Sequence, residues 1–412
     1  MERVIPHSDL NNFYASVELR DNPALRGPLA VCGDPEARHG IVLAKDYIAK
    51  AHGVRTGQAI WEAKQACPGL TVVPPRYDRY LEFSAAAREI YVSYTDQVEP
   101  FGLDECWLDV GGSVGLFGPG THIADEIRAR VRQELGLTVS VGVSFNKVFA
   151  KLGSDMKKPD ATTVITKENY QTLVWSQPVS DLLYVGPATT AKLAKYGIYT
   201  IGQLAAMGVN DLYAIMGKVG VMLHRFANGQ DNSSVAPYTA LPTVKTVGNS
   251  TTAPRDLMTD DDVKITLYAL CDSVAARLRA QDSLCNTVQI GIRDTGLMWY
   301  ERQAKLDRPV CNARDIFDAA FGLFQANRPP RPVRSLSVRG SGLTPAGPVQ
   351  LSMLPDEQRS LRRTDQERAM DKIRGKYGYQ SIRRGVTLLD PSLDLDAMGD
   401  HIIHPIGFLG TL

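Results

Sequence analysis

Apolar positions along the chain alternate between two rhythms, and the switches between them mark out elements. Residues 3–9 read as a short strand that ends on an acid, and residues 12–20 take up helical spacing with Phe13, Val17 and Tyr14 on the inner side. Residues 31–33 and 40–44 predict a hairpin of buried strands. Helices over 47–51 and 60–66 follow, parted by a turn at His52-Gly53, and Pro74-Pro75 closes this stretch. Residues 80–94 form a strongly amphipathic helical pattern. The runs 98–101 and 106–110 read as strands meeting at a tight acidic turn, Leu103-Asp104-Glu105. A helix over 121–135 leads into an alternating strand over 137–145. The order strand, helix, strand–turn–strand, helix, strand predicts one antiparallel or mixed sheet with helices on a single face, to which residues 1–10 belong and into which 11–76 are inserted.

From about residue 170 the texture changes. Residues 178–230 are helical with short loops, and 237–242 read as a linker. β-like runs over 245–252, 287–293 and 333–340 then alternate with helical patterns over 263–280 and 312–325, which predicts a second, small α+β domain. A charged helix over 366–377 and an irregular end complete the chain.

The length, 412 residues, argues for several domains, and 44% hydrophobic with 22% charged residues is ordinary for a chain with a sizeable core. Wholesale disorder, collagen-like and coiled-coil classes are thereby excluded. Net charge is only +1, but it hides a gradient: residues 1–110 hold 11 basic and 16 acidic side chains, whereas 351–389 hold 9 basic and 5 acidic. No acid occurs from Ala319 to Pro355, a stretch that contains Arg328, Arg331, Arg334 and Arg339. An acidic front and a basic back suit a protein that holds metal at one end and a polyanion along the other. The six cysteines are scattered without zinc-ligand spacing, so buried thiols are expected. The opening residues lack a signal-peptide pattern and nowhere do 18 apolar residues run together, so a cytoplasmic chain without membrane contact is expected.

Three acids stand out chemically. Asp9 ends a strand, and Asp104-Glu105 sit between two apolar strands. Burying acids there is costly unless a cation compensates them, and clustered hard oxygens select Mg²⁺, Mn²⁺ or Ca²⁺. Adjacent strand residues face opposite ways, so a turn is needed to bring both acids to one centre. A solvated hairpin tip and a helix cap at Asp9 are the competing readings. Tyr47 and Lys50 lie one helical turn apart and can face one phosphate chain, and Asn146-Lys147 with Asp155-Met156-Lys157-Lys158-Pro159 place further lysines where phosphates could meet them.

Five stretches, in order, carry a family resemblance. Ser8-Asp9-Leu10-Asn11-Asn12-Phe13-Tyr14-Ala15-Ser16-Val17-Glu18 resembles the opening motif of the Y-family, DinB/UmuC-type translesion DNA polymerases. The likeness continues in Asp46-Tyr47-Ile48-Ala49-Lys50-Ala51-His52-Gly53-Val54, in Gly102-Leu103-Asp104-Glu105-Cys106-Trp107-Leu108-Asp109, in residues 141–152, and in 155–159. The resemblance implies a multidomain α+β right-hand polymerase: palm at 1–10 and 77–170, fingers at 11–76, a helical thumb at 171–236, a linker at 237–244, a little finger at 245–345 and a tail at 346–412. It implies a template-directed DNA polymerase without proofreading, using two Mg²⁺ ions (Mn²⁺ as substitute) held by Asp9, Asp104, Glu105 and the Leu10 carbonyl. It further implies nucleotide contacts from Asn12, Phe13, Tyr14, Tyr47, Lys50 and Lys158, with Tyr14 as the steric gate against a 2′-hydroxyl.

Some positions depart from the family. Lys50 stands where the family has Arg, replacing a bidentate fork by a point charge. Gly102-Leu103 replaces the usual serine-isoleucine, and Tyr184 replaces the first glycine of a helix–hairpin–helix around Val185-Gly186-Pro187-Ala188 that would meet a DNA phosphate at Gly186. The four arginines at 328–339 would contact DNA phosphates, unless they line a solvated edge strand. Gln350, Leu351, Met353 and Leu354 resemble the peptide by which bacterial polymerases dock on the sliding clamp. The expected partners are therefore primer–template DNA, a deoxynucleoside triphosphate and that clamp, acting on a monomer. A catalytically silent DNA- or clamp-binding relative and a palm-fold nucleotidyl cyclase are the alternatives.

Overall fold

The structure is a computed structural model and describes residues 3–34, 38, 40–240, 243–347 and 355–394. Its described residues form two compact units that part between residues 242 and 243.

The first unit contains strands β1 (Ile5–Leu10), β2 (Leu29–Cys32), β3 (Val42–Lys45), β4 (Thr71–Val73), β5 (Val98–Pro100), β6 (Glu105–Leu108), β7 (Val139–Ser144) and β8 (Thr162–Ile165). Five of them make a mixed sheet in the order β5-β6-β1-β7-β8, and three make a small sheet in the order β3-β2-β4. β1 lies at the centre of the large sheet, antiparallel to β6 and β7, and is buried along its whole length. β8 joins β7 in parallel.

Helices cover both faces of this sheet, which corrects the expectation of a single covered face. Ser8 Oγ lies 3.0 Å from the Tyr91 hydroxyl of the Tyr77–Val92 helix, while its neighbour His7 uses Nδ1 to reach Ser154 Oγ, 2.9 Å away on the Lys147–Met156 helix. Consecutive strand residues point to opposite faces, so the two helices are on opposite sides. The second covered face was hidden because its β7 positions are Ser140, Gly142 and Ser144, which in sequence look solvent-facing. Gly142 is instead a point of close approach: a Cβ there would collide with the Ala150 carbonyl oxygen and the Ser154 amide.

β4 and β8 went unread because strands of three and four residues show too little of a two-residue period. Residues 170–227 are helical, with a core that includes Leu182, Leu193, Leu204, Leu212 and Leu223. Tyr184, in the expected hairpin, takes φ +69°, the left-handed region that favours glycine, and it does so exposed.

The second unit is a four-stranded antiparallel sheet, β9 (Thr246–Leu257), β10 (Ser283–Asp294), β11 (Trp299–Val310) and β12 (Val333–Pro345), in the order β11-β10-β12-β9. Val288, Ile290, Ile292, Leu336 and Val338 form a core with the helices Asp260–Ala280 and Ala313–Ala326. β11 was not foreseen, because charged residues fall on both of its faces. β12 is interior, which removes the edge-strand reading of its arginines.

The helix Pro355–Tyr377 packs on this unit through buried charge. The Glu367 carboxylate accepts from the Ala313 amide at 2.9 and 3.1 Å and from Arg279 Nη1 at 2.6 Å, capping a helix other than its own. Arg384 bridges Glu367 and Asp272. The clamp-like peptide 350–354 lies outside the described residues. Among the described residues no helix is long and apolar enough to cross a membrane, and all six cysteines are buried and free.

Candidate active site

The site is built where β1 meets β6. Asp9 stands directly opposite Glu105 in the antiparallel register, so both side chains rise on one face. Asp104 precedes the strand, on the bend 101–104, and is thereby released from the strand's alternation. Gly102 makes that bend possible: it takes φ +115°, and a Cβ would come within 3.3 Å of Asp104 Oδ1. The Ser84 hydroxyl donates to the Leu103 carbonyl, and Arg88, buried, donates to Ser84 Oγ at 2.7 Å, so the Tyr77–Val92 helix fixes the turn from behind. The Leu10 amide donates to the Asp104 carbonyl at 2.9 Å. These contacts set aside both competing readings: Asp9 is a strand residue, the helix Phe13–Asp21 begins after Asn12, and Asp104 is not a free tip.

Two lysines sit on the acids. Lys158 Nζ lies 2.7 Å from Asp9 Oδ2 and 3.0 Å from Asp155 Oδ1. Lys151 Nζ lies 2.8 Å from Glu105 Oε2, 3.2 Å from Asp155 Oδ2 and 3.9 Å from Asp9 Oδ2. His7 faces the same cluster with Nε2 3.2 Å from Glu105 Oε2, and burial holds its pKa below the ordinary value, so the ring is neutral. Glu105 Oε2 and His7 Nε2 are both buried without a well-directed hydrogen bond.

The electrostatics separate the acids. Burial, followed by the charges of Asp9 and Glu105, pushes Asp104 up to about 7. Burial also raises Asp9 despite Lys158. Glu105 is opposed by burial, yet His7 and Lys151 bring it below the usual carboxylate range. Among the described residues no three such groups stand in ligating geometry, and the two ammoniums lie against Asp9 and Glu105.

Around this centre the remaining residues take varied positions. Tyr14 stacks on Tyr80, and its hydroxyl is raised by burial and then by the Asp104 charge, which places it beside the acids. Tyr47 starts the helix Tyr47–Ala51, which Asp46 caps by accepting from the Ala49 amide at 2.8 Å. The Tyr47 hydroxyl feels burial first, then Lys158 and Asp9, so it too borders the site. Lys50 is exposed, with Nζ 5.8 Å from the Tyr47 ring centroid. Phe13 points into the hydrophobic core and Asn12 takes φ +48° at the helix start, so Phe13 has only its backbone to offer a nucleotide. Leu10 likewise buries its side chain.

Asn146 and Lys147 are not at the site. Asn146 caps the Lys147–Met156 helix, accepting from the Phe149 amide at 2.8 Å, and Lys147 pairs with Glu99 at 2.6 Å over the Trp107 ring. Gly186 begins the helix Pro187–Ala194 with open space around its missing Cβ. In the second unit, Arg328 pairs with Asp260, and Arg339 lies on the β12 face away from the buried Leu336 and Val338, donating to Gln289 at 3.4 Å. Arg331 and Arg334 fall on the same segment without joining these contacts.

His7, Lys45 and the seating of Lys151 escaped the sequence reading. His7 is two strand positions before Asp9, hence on its face, and Lys151 is four helical positions before Asp155; both spacings are legible once the acids are known. Lys45 bonds Thr56 Oγ1 at 2.9 Å, and its pKa is lowered by burial and by the charge of Lys50, so two lysines border the Tyr47 helix.

The sequence profile of the impB/mucB/samB family matches residues 8–155, and that of the impB/mucB/samB family C-terminal domain matches residues 244–353. The chain is 50% identical to a DNA polymerase IV of Acetivibrio thermocellus across 96% of this chain and 100% of that protein. It is 39% identical to DNA polymerase IV of Moorella thermoacetica (92% and 95% covered) and 36% identical to DNA polymerase IV 1 of Bacillus subtilis (94% and 93% covered). Among solved structures, a Y-family DNA polymerase chimera of Dbh and Dpo4 shares the fold with a TM-score of 0.74 at 23% identity, over 82% of this chain and 98% of that one. With profiles matched at both ends and a relative half identical over nearly its whole length, the chain belongs to the impB/mucB/samB family and is a Y-family DNA polymerase of the DinB type.

Proposed function

We propose that the protein extends a primer by template-directed, two-metal nucleotidyl transfer, opposite damaged as well as undamaged template, with low fidelity and without proofreading. The observation that carries this reading is the convergence of Asp9 and Glu105, in register, with Asp104 on the bend beside them.

The donor set fits Mg²⁺. Asp9, Asp104, Glu105 and Asp155 bring four carboxylates against the two ammoniums of Lys151 and Lys158, leaving two negative charges uncompensated. Asp104 answers with a proton held to about pH 7, while Glu105 stays ionised against His7 and Lys151. A hard dication supplies the positive charge that this excess of carboxylates lacks. Asp9, Asp104, Glu105 and the Leu10 carbonyl would hold two such ions, with Mn²⁺ as a substitute. Bound, the pair stabilises the attacking and leaving oxygens of an in-line displacement.

The chain's own groups do the rest. Tyr47, Lys50 and Lys158 bind the β- and γ-phosphates; Tyr14 closes the space beneath the sugar, and His7 with Lys151 fixes the orientation of Glu105. In this reading the five-stranded sheet is the palm, the three-stranded unit the fingers, the helices after residue 170 the thumb and the four-stranded unit the little finger. Gly186 and the arginines at 328–339 contact DNA phosphates without reading sequence. Residues 350–354 dock on the sliding clamp.

The test is product analysis with Mg²⁺. Primer–template pairs carrying defined lesions should be extended according to the template base, and deoxynucleotide incubated alone should stay unchanged. A cyclic nucleotide formed without primer would replace this reading by the cyclase.

A further inference from the structure

We propose that Lys158 is the resident cation of the metal-free site, and that substrate entry is a cation exchange: the ammonium leaves Asp9 for the nucleotide's phosphates as the divalent ion takes the carboxylate. The inference rests on the metal assignment proposed above and adds to it an order of occupancy.

Asp9 is almost fully buried on the central strand, and a buried carboxylate is not left uncompensated. Its compensation is Lys158, 2.7 Å from Oδ2, which brings an ammonium across 149 residues of chain onto the oxygen that a metal ion would need. A divalent ion and an ammonium cannot share one carboxylate face: each takes the same lone pairs, and they repel one another. Binding of the ion therefore requires Lys158 to move.

The structure gives it somewhere to pivot. Asp155 holds the same Nζ at 3.0 Å, is half exposed, and sits three residues before it at the end of the Lys147–Met156 helix. Lys158 can thus release Asp9 while staying tethered at the rim. Tyr47 borders the same ammonium, as its hydroxyl senses the Lys158 charge, so the released lysine faces the residues assigned to the phosphates.

Lys151 plays the contrasting part. It is more deeply buried, bridges Glu105 and Asp155, and reaches Asp9 only at 3.9 Å. Its ammonium lies on one oxygen of Glu105, Oε2, and helps keep that carboxylate ionised, so the other oxygen is the one left to a metal ion.

The experiment is Mn²⁺ titration of the primer-free, nucleotide-free protein, followed by electron paramagnetic resonance of the free ion. Lys158→Met should tighten Mn²⁺ binding about tenfold or more, one ion pair's worth of competition. Lys158→Gln, uncharged but able to hydrogen-bond, should do the same. Lys50→Met removes a nearby charge that sits on no acid and should change Mn²⁺ affinity less than about threefold, although both it and Lys158→Met weaken nucleotide binding. Unchanged or weaker Mn²⁺ binding in Lys158→Met, or equal tightening in Lys50→Met, overturns the exchange. The metal assignment is tested separately by Asp104→Ala: loss of the Mn²⁺ site supports it, and retention at wild-type affinity overturns both.

Discussion

Tyr14 lies flat against Tyr80, with ring centroids 4.2 Å apart and planes 9° from parallel. Tyr80 is itself immobilised, since its hydroxyl donates to Glu18 at 2.7 Å and Arg76 donates to both oxygens of that carboxylate at 3.0 Å. A ring held in this way, beside Asp104, is a wall rather than a mobile side chain. Tyr14→Ala should therefore raise ribonucleotide incorporation relative to deoxynucleotide by at least about tenfold, the scale of one pocket group. Single-nucleotide incorporation with paired ribo- and deoxynucleotides measures this, and unchanged sugar discrimination removes the gate assignment.

Asp104 links the site to stability. In the folded chain its carboxyl keeps a proton up to about pH 7, whereas the ordinary value is 3.8. Between those values the folded state binds more protons than the unfolded one, so this group's contribution to stability falls as pH rises. In chelator, Asp104→Asn should melt progressively higher than wild type as pH goes from 5 to 8. A melting difference that stays flat across that range contradicts the environment assigned to Asp104.

Glu367 anchors the C-terminal helix. Both it and Arg279 are almost fully buried, and removing one partner of such a pair leaves an uncompensated charge. Glu367→Ala should cost about 3 kcal/mol in urea unfolding of the full chain. A shift under about 0.5 kcal/mol would mean that the helix docks by apolar contact alone.

Deleting residues 350–354 should leave basal extension intact and abolish stimulation by a bacterial sliding clamp. Equal stimulation of the deletion and the full chain refutes the docking role.

Much of this was readable in the residues. The helices Tyr47–Ala51 and Ile60–Ala66 fall where their apolar spacing placed them, and the need for a turn to unite Asp104 with Glu105 is met by Gly102. Other features are tertiary. Ser140 and Gly142 look polar or permissive in sequence, and only the neighbouring helix turns them into a packed face. β11 packs Tyr300, Leu306 and Val310 on the core, but Arg302 and Arg308 interrupt that face and hide its two-residue period. Lys158 reads from sequence as a phosphate ligand or as surface charge and Lys151 only as part of a family motif, and their seating on the acids is a fact of three dimensions.

Nucleotide incorporation by Asp104→Ala, at matched folding by circular dichroism, bears most directly on the role proposed for Asp9, Asp104 and Glu105. With primer–template DNA and Mg²⁺, the variant should lose on the order of a thousandfold in rate, as when a principal electrostatic contact to a transition state is deleted. Incorporation within about threefold of wild type would contradict a nucleotidyl transfer centred on these carboxylates.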